Sequence, residues 1–236
     1  MNRIEQVFGV SRVVLPVVHP LGRREALHSI DVVQRAGARG LFLIDQGLGE
    51  YEVLDVVVEA RTRYPALWIG VNLLSRRPAE ALEVALDHCG GRIDGIWSDN
   101  AGVDERAVEQ PLAEEFVAMR RARGWSGLYF GGVAFKYQRE VPLGDLGRTA
   151  AIAARYVDVL CTSGPGTGQA ADPERLRALH AGAGDAAIAL ASGVTADNAH
   201  LYTPHAHAFL VGTGIEARFG VIDEARLTAL LRAIAN

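Results

Sequence analysis

Eight short apolar runs recur along this chain of 236 residues, and an amphipathic stretch follows nearly every one of them. The runs are Val13–Val18, Gly40–Asp45, Leu67–Leu73, Ile93–Ser98, Gly127–Ala134, Val157–Thr162, Ala187–Ala191 and Ala208–Val211. They are nearly continuous in hydrophobicity rather than alternating, which is the pattern of parallel strands buried on both faces. The segments Arg24–Ala36, Tyr51–Tyr64, Ala79–His88, Leu112–Arg123, Leu146–Tyr156 and Glu174–Ala181 read as helices, and Glu224–Ala235 as the closing one. Pro78 and Pro173 stand where first-turn prolines belong, the latter behind Asp172 as an N-cap, and Thr195-Ala-Asp-Asn reads as a further helix start. Eight βα units without a linker or composition shift predict one domain over residues 1–236, an α/β fold of the single (β/α)8 TIM barrel type. An open doubly wound sheet uses the same alternation, but no GxGxxG follows the first strand.

Hydrophobic residues make up 49 % of the chain, ample for such a core, and the net charge of −4 lacks the basic footprint of a nucleic-acid binder. No run of 18 apolar residues marks a membrane span. The start, Met1-Asn-Arg-Ile-Glu-Gln, lacks a signal-peptide core. The two cysteines, Cys89 and Cys161, form no CxxC pair. A cytoplasmic protein is the expectation. Of the 24 basic residues only Lys136 is lysine. Where arginine has replaced lysine almost everywhere, the remaining ammonium invites a role that guanidinium cannot fill, such as a shifted pKa or a Schiff base; chance survival on a loop is the alternative.

The last three strands each empty into a glycine-rich turn: Thr162-Ser-Gly-Pro-Gly-Thr-Gly168, Ala191-Ser-Gly-Val194 and Val211-Gly-Thr-Gly-Ile215. Glycine lets a backbone approach a ligand closely, and free N–H groups at such turns suit an anion. In a (β/α)8 barrel the phosphate site lies in the loops after strands 7 and 8. This predicts a small phosphorylated substrate held by Gly166, Gly168, Ser192, Gly193, Gly212 and Thr213.

Active sites of barrels lie at the carboxyl ends of the strands. Read in order, those ends carry His19, Asp45, Asn72, Ser98-Asp99-Asn100, Lys136 and Cys161-Thr162-Ser163. Each alone is also explained by ordinary turn chemistry; the recurrence at successive strand ends points to a site. His19, Asp45, Asp99 and Lys136 are the candidate catalytic groups, because their side chains accept or donate protons or attack a carbonyl. Asn72, Asn100, Thr162 and Ser163 are candidate substrate ligands. Cys161 reads as core. Arg76-Arg77 either meets an anion or is solvated, and His200, His205 and His207 fall toward the opposite end of the barrel. No metal site and no cofactor motif is visible.

The segments Gly70-Val-Asn-Leu-Leu, Val133-Ala-Phe-Lys-Tyr, Thr162-Ser-Gly-Pro-Gly-Thr-Gly, Ala191-Ser-Gly-Val-Thr-Ala-Asp-Asn and Phe209-Leu-Val-Gly-Thr-Gly-Ile-Glu resemble the BtpA/SgcQ family. The resemblance runs from Val-Val-His19 onward. It implies a barrel related to the ribulose-phosphate-binding group, which includes phosphoribosylanthranilate isomerase, and it implies phosphate binding at Ser192, Gly193, Gly212 and Thr213. Two departures line the expected mouth. Ser75-Arg76-Arg77 stands where the family continues with Arg-Asn-Asp, and Asp45-Gln46 where it has Glu-Asn. The function expected is an enzyme on a phosphorylated sugar or phosphoribosyl-type compound, working by acid/base isomerisation or carbon–carbon lyase chemistry. The alternatives are a glycosidase or nucleosidase on the same barrel, and a non-catalytic assembly or stability factor for a membrane complex. The apolar composition permits a homo-oligomer.

Overall fold

The computed structural model describes residues 1–235 and is a closed barrel of eight parallel strands paired in chain order, β1 closing on β8. The strands are β1 (Val13–Val18), β2 (Gly40–Ile44), β3 (Trp68–Asn72), β4 (Gly95–Ser98), β5 (Leu128–Gly132), β6 (Val159–Ser163), β7 (Ala187–Ala191) and β8 (Ala208–Val211). All eight expected strands form, most shortened by a residue or two because the flanking apolar residues pack as loop. Closure is direct: Val13, Val14, Leu15 and Pro16 stand opposite Ala208, Phe209, Leu210 and Val211.

Side chains alternate along each strand between two cores. Leu15, Phe42, Trp68, Trp97, Phe130, Cys161, Ala189 and Leu210 fill the barrel interior, and a larger shell of aliphatic residues lies between strands and helices. The interior is lopsided. Phe42 meets Trp68, Trp97 and Phe130 at ring-centroid distances of 5.1 to 5.6 Å, edge to face. The alanines of β7 and β8 leave the room these rings take up.

Outside the strands lie α2 (Arg23–Arg35), α3 (Glu50–Arg63), α4 (Pro78–Cys89), α5 (Pro111–Ala122), α6 (Leu146–Ala153), α7 (Pro173–Gly182) and α8 (Glu224–Ala235). Pro78 and Pro173 occupy the first turns of α4 and α7, and the Asp172 carboxylate caps α7 by accepting the Glu174 N–H at 2.8 Å. Three features depart from the expected pattern. A short N-terminal helix α1 (Arg3–Phe8) precedes β1, started by a capping box between Asn2 and Glu5. Its Ile4 and Phe8 close the N-terminal end of the barrel interior. No α-helix follows Thr195; only a 3-10 turn at Ala199–Leu201 lies between β7 and β8. There the Asn198 amide is committed to the Thr195 N–H and the Gly193 carbonyl, which holds the segment as a turn. Finally, a hairpin of β9 (Glu216–Arg218) and β10 (Val221–Ile222) follows β8. Among the described residues no helix is long and apolar enough to cross a membrane.

Candidate active site

A cavity of about 230 Å³ opens at the carboxyl ends of the strands, walled by His19, Trp97, Asp99, Lys136, Ser192 and Thr213, among others. Every wall group sits on or just after a strand, so the barrel itself sets the distances between them.

His19 follows β1 and is 8 % exposed. Its Nδ1 lies 2.8 Å from Oε1 of Glu216, the first residue of β9, which is 5 % exposed. The same carboxylate oxygen accepts the Gly220 N–H at 3.1 Å and so fastens the hairpin turn. Phe219, at the tip of that turn, lies over the imidazole with ring centroids 4.9 Å apart. A buried carboxylate on Nδ1 assigns the proton to that nitrogen and leaves Nε2 as the basic lone pair. Nε2 makes no hydrogen bond to a described residue and is not among the buried unpartnered atoms, while the ring walls the cavity.

Asp99 follows β4. The Nδ2 of Asn72, itself 1 % exposed at the end of β3, donates to Asp99 Oδ1 at 3.0 Å. Burial raises the Asp99 pKa, while the Asn72 hydrogen bond and the Lys136 charge oppose the rise. The sign has a consequence for stability. A carboxyl whose folded pKa lies above the unfolded one makes its full contribution to stability below the ordinary value of 3.8 and loses it as pH rises through the folded pKa. Asp99→Asn is therefore expected to raise the melting temperature at neutral pH, with the gain shrinking to nothing toward pH 3.5. Thermal melts at several pH values check this; a gain that is the same at every pH would contradict it.

Lys136 lies in the loop after β5. Its backbone N–H donates to Ser163 Oγ at 2.8 Å, and Nζ donates to Thr167 Oγ1 at 3.3 Å. Two residues of this segment, Ala134 and Tyr137, hold left-handed backbone at φ +47° and +61°. Such non-glycine conformations cost about 1–3 kcal/mol each and persist where the surroundings over-determine them. Those surroundings are visible. The Gln138 amide donates to the Asp99 backbone carbonyl, and Arg139 grips the buried Glu105 with both carboxylate oxygens at 2.6 and 2.7 Å. The loops carrying Asp99 and Lys136 are thereby clamped together.

The glycine turns lie on the opposite wall. Ser192, at φ +71°, Gly212 and Thr213 face the cavity. Gly193, at φ +72°, does not: a Cβ there would stand 2.0 Å from the Gln169 carbonyl oxygen, so its glycine is required by packing between loops. Gly166 and Gly168 belong to that same packed loop, which reaches the cavity through Thr167. Ser192 Oγ donates to the Gly166 carbonyl at 3.5 Å.

Other expected site residues are placed elsewhere. Asp45 Oδ1 accepts the Leu74 N–H at 2.7 Å and pins the loop after β3, outside the cavity wall; burial raises its pKa. Asn100 is exposed and accepts the Gly102 N–H at 2.8 Å within its own turn. Thr162 and Ser163 wall a neighbouring cavity. Arg76 is paired with Glu50, and Arg77 with Glu80 and Glu115. Cys161 is fully buried, with its thiol pKa pushed up by burial. His205 and His207 lie at the far end of the barrel, where the His207 ring accepts the Ile188 N–H at 3.1 Å. Sequence reasoning gave no role to Glu216, although the residue closes one of the resembling segments. It also gave no role to Trp97, whose buried indole N–H has no acceptor among the described residues.

No known family and no curated protein matches the chain by sequence. Solved structures do match by shape. Phosphoribosylanthranilate isomerase from Thermus thermophilus aligns with a TM-score of 0.63 at 15 % identity, covering 94 % of this chain and 98 % of that one. Tryptophan synthase from Mycobacterium tuberculosis gives 0.69 at 12 %, covering 100 % and 99 %. A 4-hydroxy-2-oxoglutarate/2-dehydro-3-deoxyphosphogluconate aldolase from TTHB1 gives 0.62 at 19 %, covering 99 % of each chain. At these identities the likeness is one of fold.

Proposed function

We propose that this chain is an enzyme acting on a small phosphorylated sugar or phosphoribosyl-type compound, and that its chemistry is acid–base isomerisation. One observation carries the proposal. Two proton-handling side chains, His19 and Asp99, each held by a buried partner, share one small cavity with the lone lysine and the turns after β7 and β8. The phosphate rests against Ser192, Gly212 and Thr213, with the Lys136 ammonium supplying positive charge nearby. Binding energy from that end orients the reacting carbons. His19 Nε2 takes a proton from the carbon beside the carbonyl, and Asp99, whose pKa is raised by burial, gives one to the carbonyl oxygen. The resulting enediol collapses by the reverse transfers onto the neighbouring carbon. No atom is gained or lost. The names of two of the similar structures, an isomerase and an aldolase, support a reaction of this general kind.

Thermal shift against paired sugars tests it. A phosphorylated pentose or ketose at about 100 times its Kd should stabilise the protein by about 2.7 kcal/mol, and its dephosphorylated counterpart should not. Borohydride should trap no adduct. Trapping that disappears in Lys136→Arg would replace isomerisation by Schiff-base lyase chemistry. Indifference to every phosphorylated compound would overturn the phosphate site altogether.

A further inference from the structure

The end of the barrel opposite the mouth gathers three imidazoles that have no place in the chemistry proposed above. The strand pairs β7–β8 and β8–β1 close the ring, and both meet at His207, the residue just before β8. Its backbone carbonyl accepts the Val13 N–H at 2.9 Å, and its backbone N–H donates to the Ile188 carbonyl at 2.7 Å. Its ring completes the exchange with Ile188, for Nδ1 accepts the Ile188 N–H at 3.1 Å. A backbone N–H can only donate, so this bond fixes the state of the ring: Nδ1 is bare and the proton sits on Nε2. Protonation puts a hydrogen on both ring nitrogens, and the bond from Ile188 is then lost.

The surroundings oppose a charge on this ring. His180 of α7 lies nearly parallel to it, with ring centroids 5.9 Å apart, and Arg12 adds positive charge from the segment before β1. Glu5 of α1 pulls the other way, but its carboxylate already accepts the Asn2 N–H at 3.1 Å. His180 Nδ1 donates to the His205 carbonyl at 3.1 Å, and those two rings lie 5.2 Å apart. The Nδ1 of His205 is buried without a partner among the described residues, and Arg177 of α7 disfavours a charge there. Burial first, then His180, pushes the His205 and His207 pKa values below the ordinary 6.5. A histidine whose folded pKa is lowered contributes stability that is full above 6.5 and is lost as pH falls below it toward the folded pKa.

We propose that His207 is an acid-released clasp: taking up a proton from solvent frees the Ile188 N–H and loosens the foot of the β7–β8–β1 seam while the rest of the barrel stays closed. Amide hydrogen exchange followed by NMR on the full chain, between about pH 7.5 and about pH 5 and corrected for intrinsic rates, tests it. Protection of the Ile188 amide should fall by about tenfold per pH unit below 6.5, one proton being taken up for each opening. Amides of β3, across the barrel, should keep theirs. His207→Asn places an amide oxygen where Nδ1 stood, an acceptor that does not titrate, and should make Ile188 protection independent of pH. Protection that is constant in the wild type, that falls equally in all strands, or that falls as steeply in His207→Asn would overturn the clasp. Should that variant not fold, nitrogen NMR of the wild-type ring decides. A bare Nδ1 at neutral pH with a midpoint below 6.5 is expected, and a proton on Nδ1 or a midpoint at or above 6.5 refutes the proposal. No substrate enters the experiment, so failure here and failure of the isomerase proposal are distinguishable.

Discussion

Gly132→Ala is expected to cost about 3 kcal/mol, a large fraction of a total stability of about 5–15 kcal/mol. The reason is backbone, not side chain. A Cβ on Gly132, the last residue of β5, would stand 1.8 Å from the Asp99 carbonyl oxygen and 2.2 Å from its carbon. The Gly132 carbonyl also accepts the Ala101 N–H at 2.9 Å, so the two chains cannot part without losing that bond. Gly144→Ala is the control, since a Cβ there meets nothing within 4 Å and its φ is not positive. It should be neutral or stabilising by up to about 1 kcal/mol. Denaturant melts of the two variants suffice. Equal stability for both would mean that β5 and the Asp99 loop are not packed as described.

The second large effect falls on activity. Glu216→Gln preserves volume but removes the charge that holds the His19 proton on Nδ1, and should lower kcat/KM by about 10²–10⁴-fold, the range of general acid–base catalysis. Stability should fall far less than in Glu216→Ala, which orphans two buried donors at about 1–3 kcal/mol each. A role in packing alone would not alter the imidazole tautomer. Nitrogen NMR of His19 therefore separates the two cases without any substrate. Wild type should show the proton on Nδ1 and Glu216→Gln a mixture; identical spectra would leave Glu216 a hairpin fastener only. Adding His19→Asn to Glu216→Gln should cost little more than either change alone, as for residues that act as one unit.

The barrel was legible because its signal is repeated. Eight apolar runs such as Ala187–Ala191 and Ala208–Val211 became strands, and proline and Asp172 punctuation placed helix starts within a residue. What failed was local and non-repeating. The Asn2–Glu5 capping box is written in the sequence but is only one turn long, so it lacks the periodicity that flags a helix. After Thr195 the pattern started like a helix, and the competing hydrogen bonds of Asn198, invisible in a string of letters, ended it. At the mouth, strand-end position identified which residues are near one another but not which way they face. Asp45 satisfies a backbone N–H of the neighbouring loop and Asn100 one of its own, while Asp99 and Lys136 turn inward. Glu216 was overlooked for a different reason. It lies past the glycine turn in a short hairpin, and its partner His19 stands at the other end of the chain.

That distance has a consequence for when the protein becomes competent. His19 and Glu216 are 197 positions apart, just beyond the first barrel strand and just beyond the eighth. Their hydrogen bond spans the seam where β8 zips onto β1, and contacts of such long sequence separation carry the slowest entropy cost in folding. A chain still emerging from the ribosome, or one cut short before the final hairpin, owns every strand-end group except the carboxylate that orients its histidine. The pair thus acts as a seal on the finished ring: the histidine takes its final orientation only once the circle has closed.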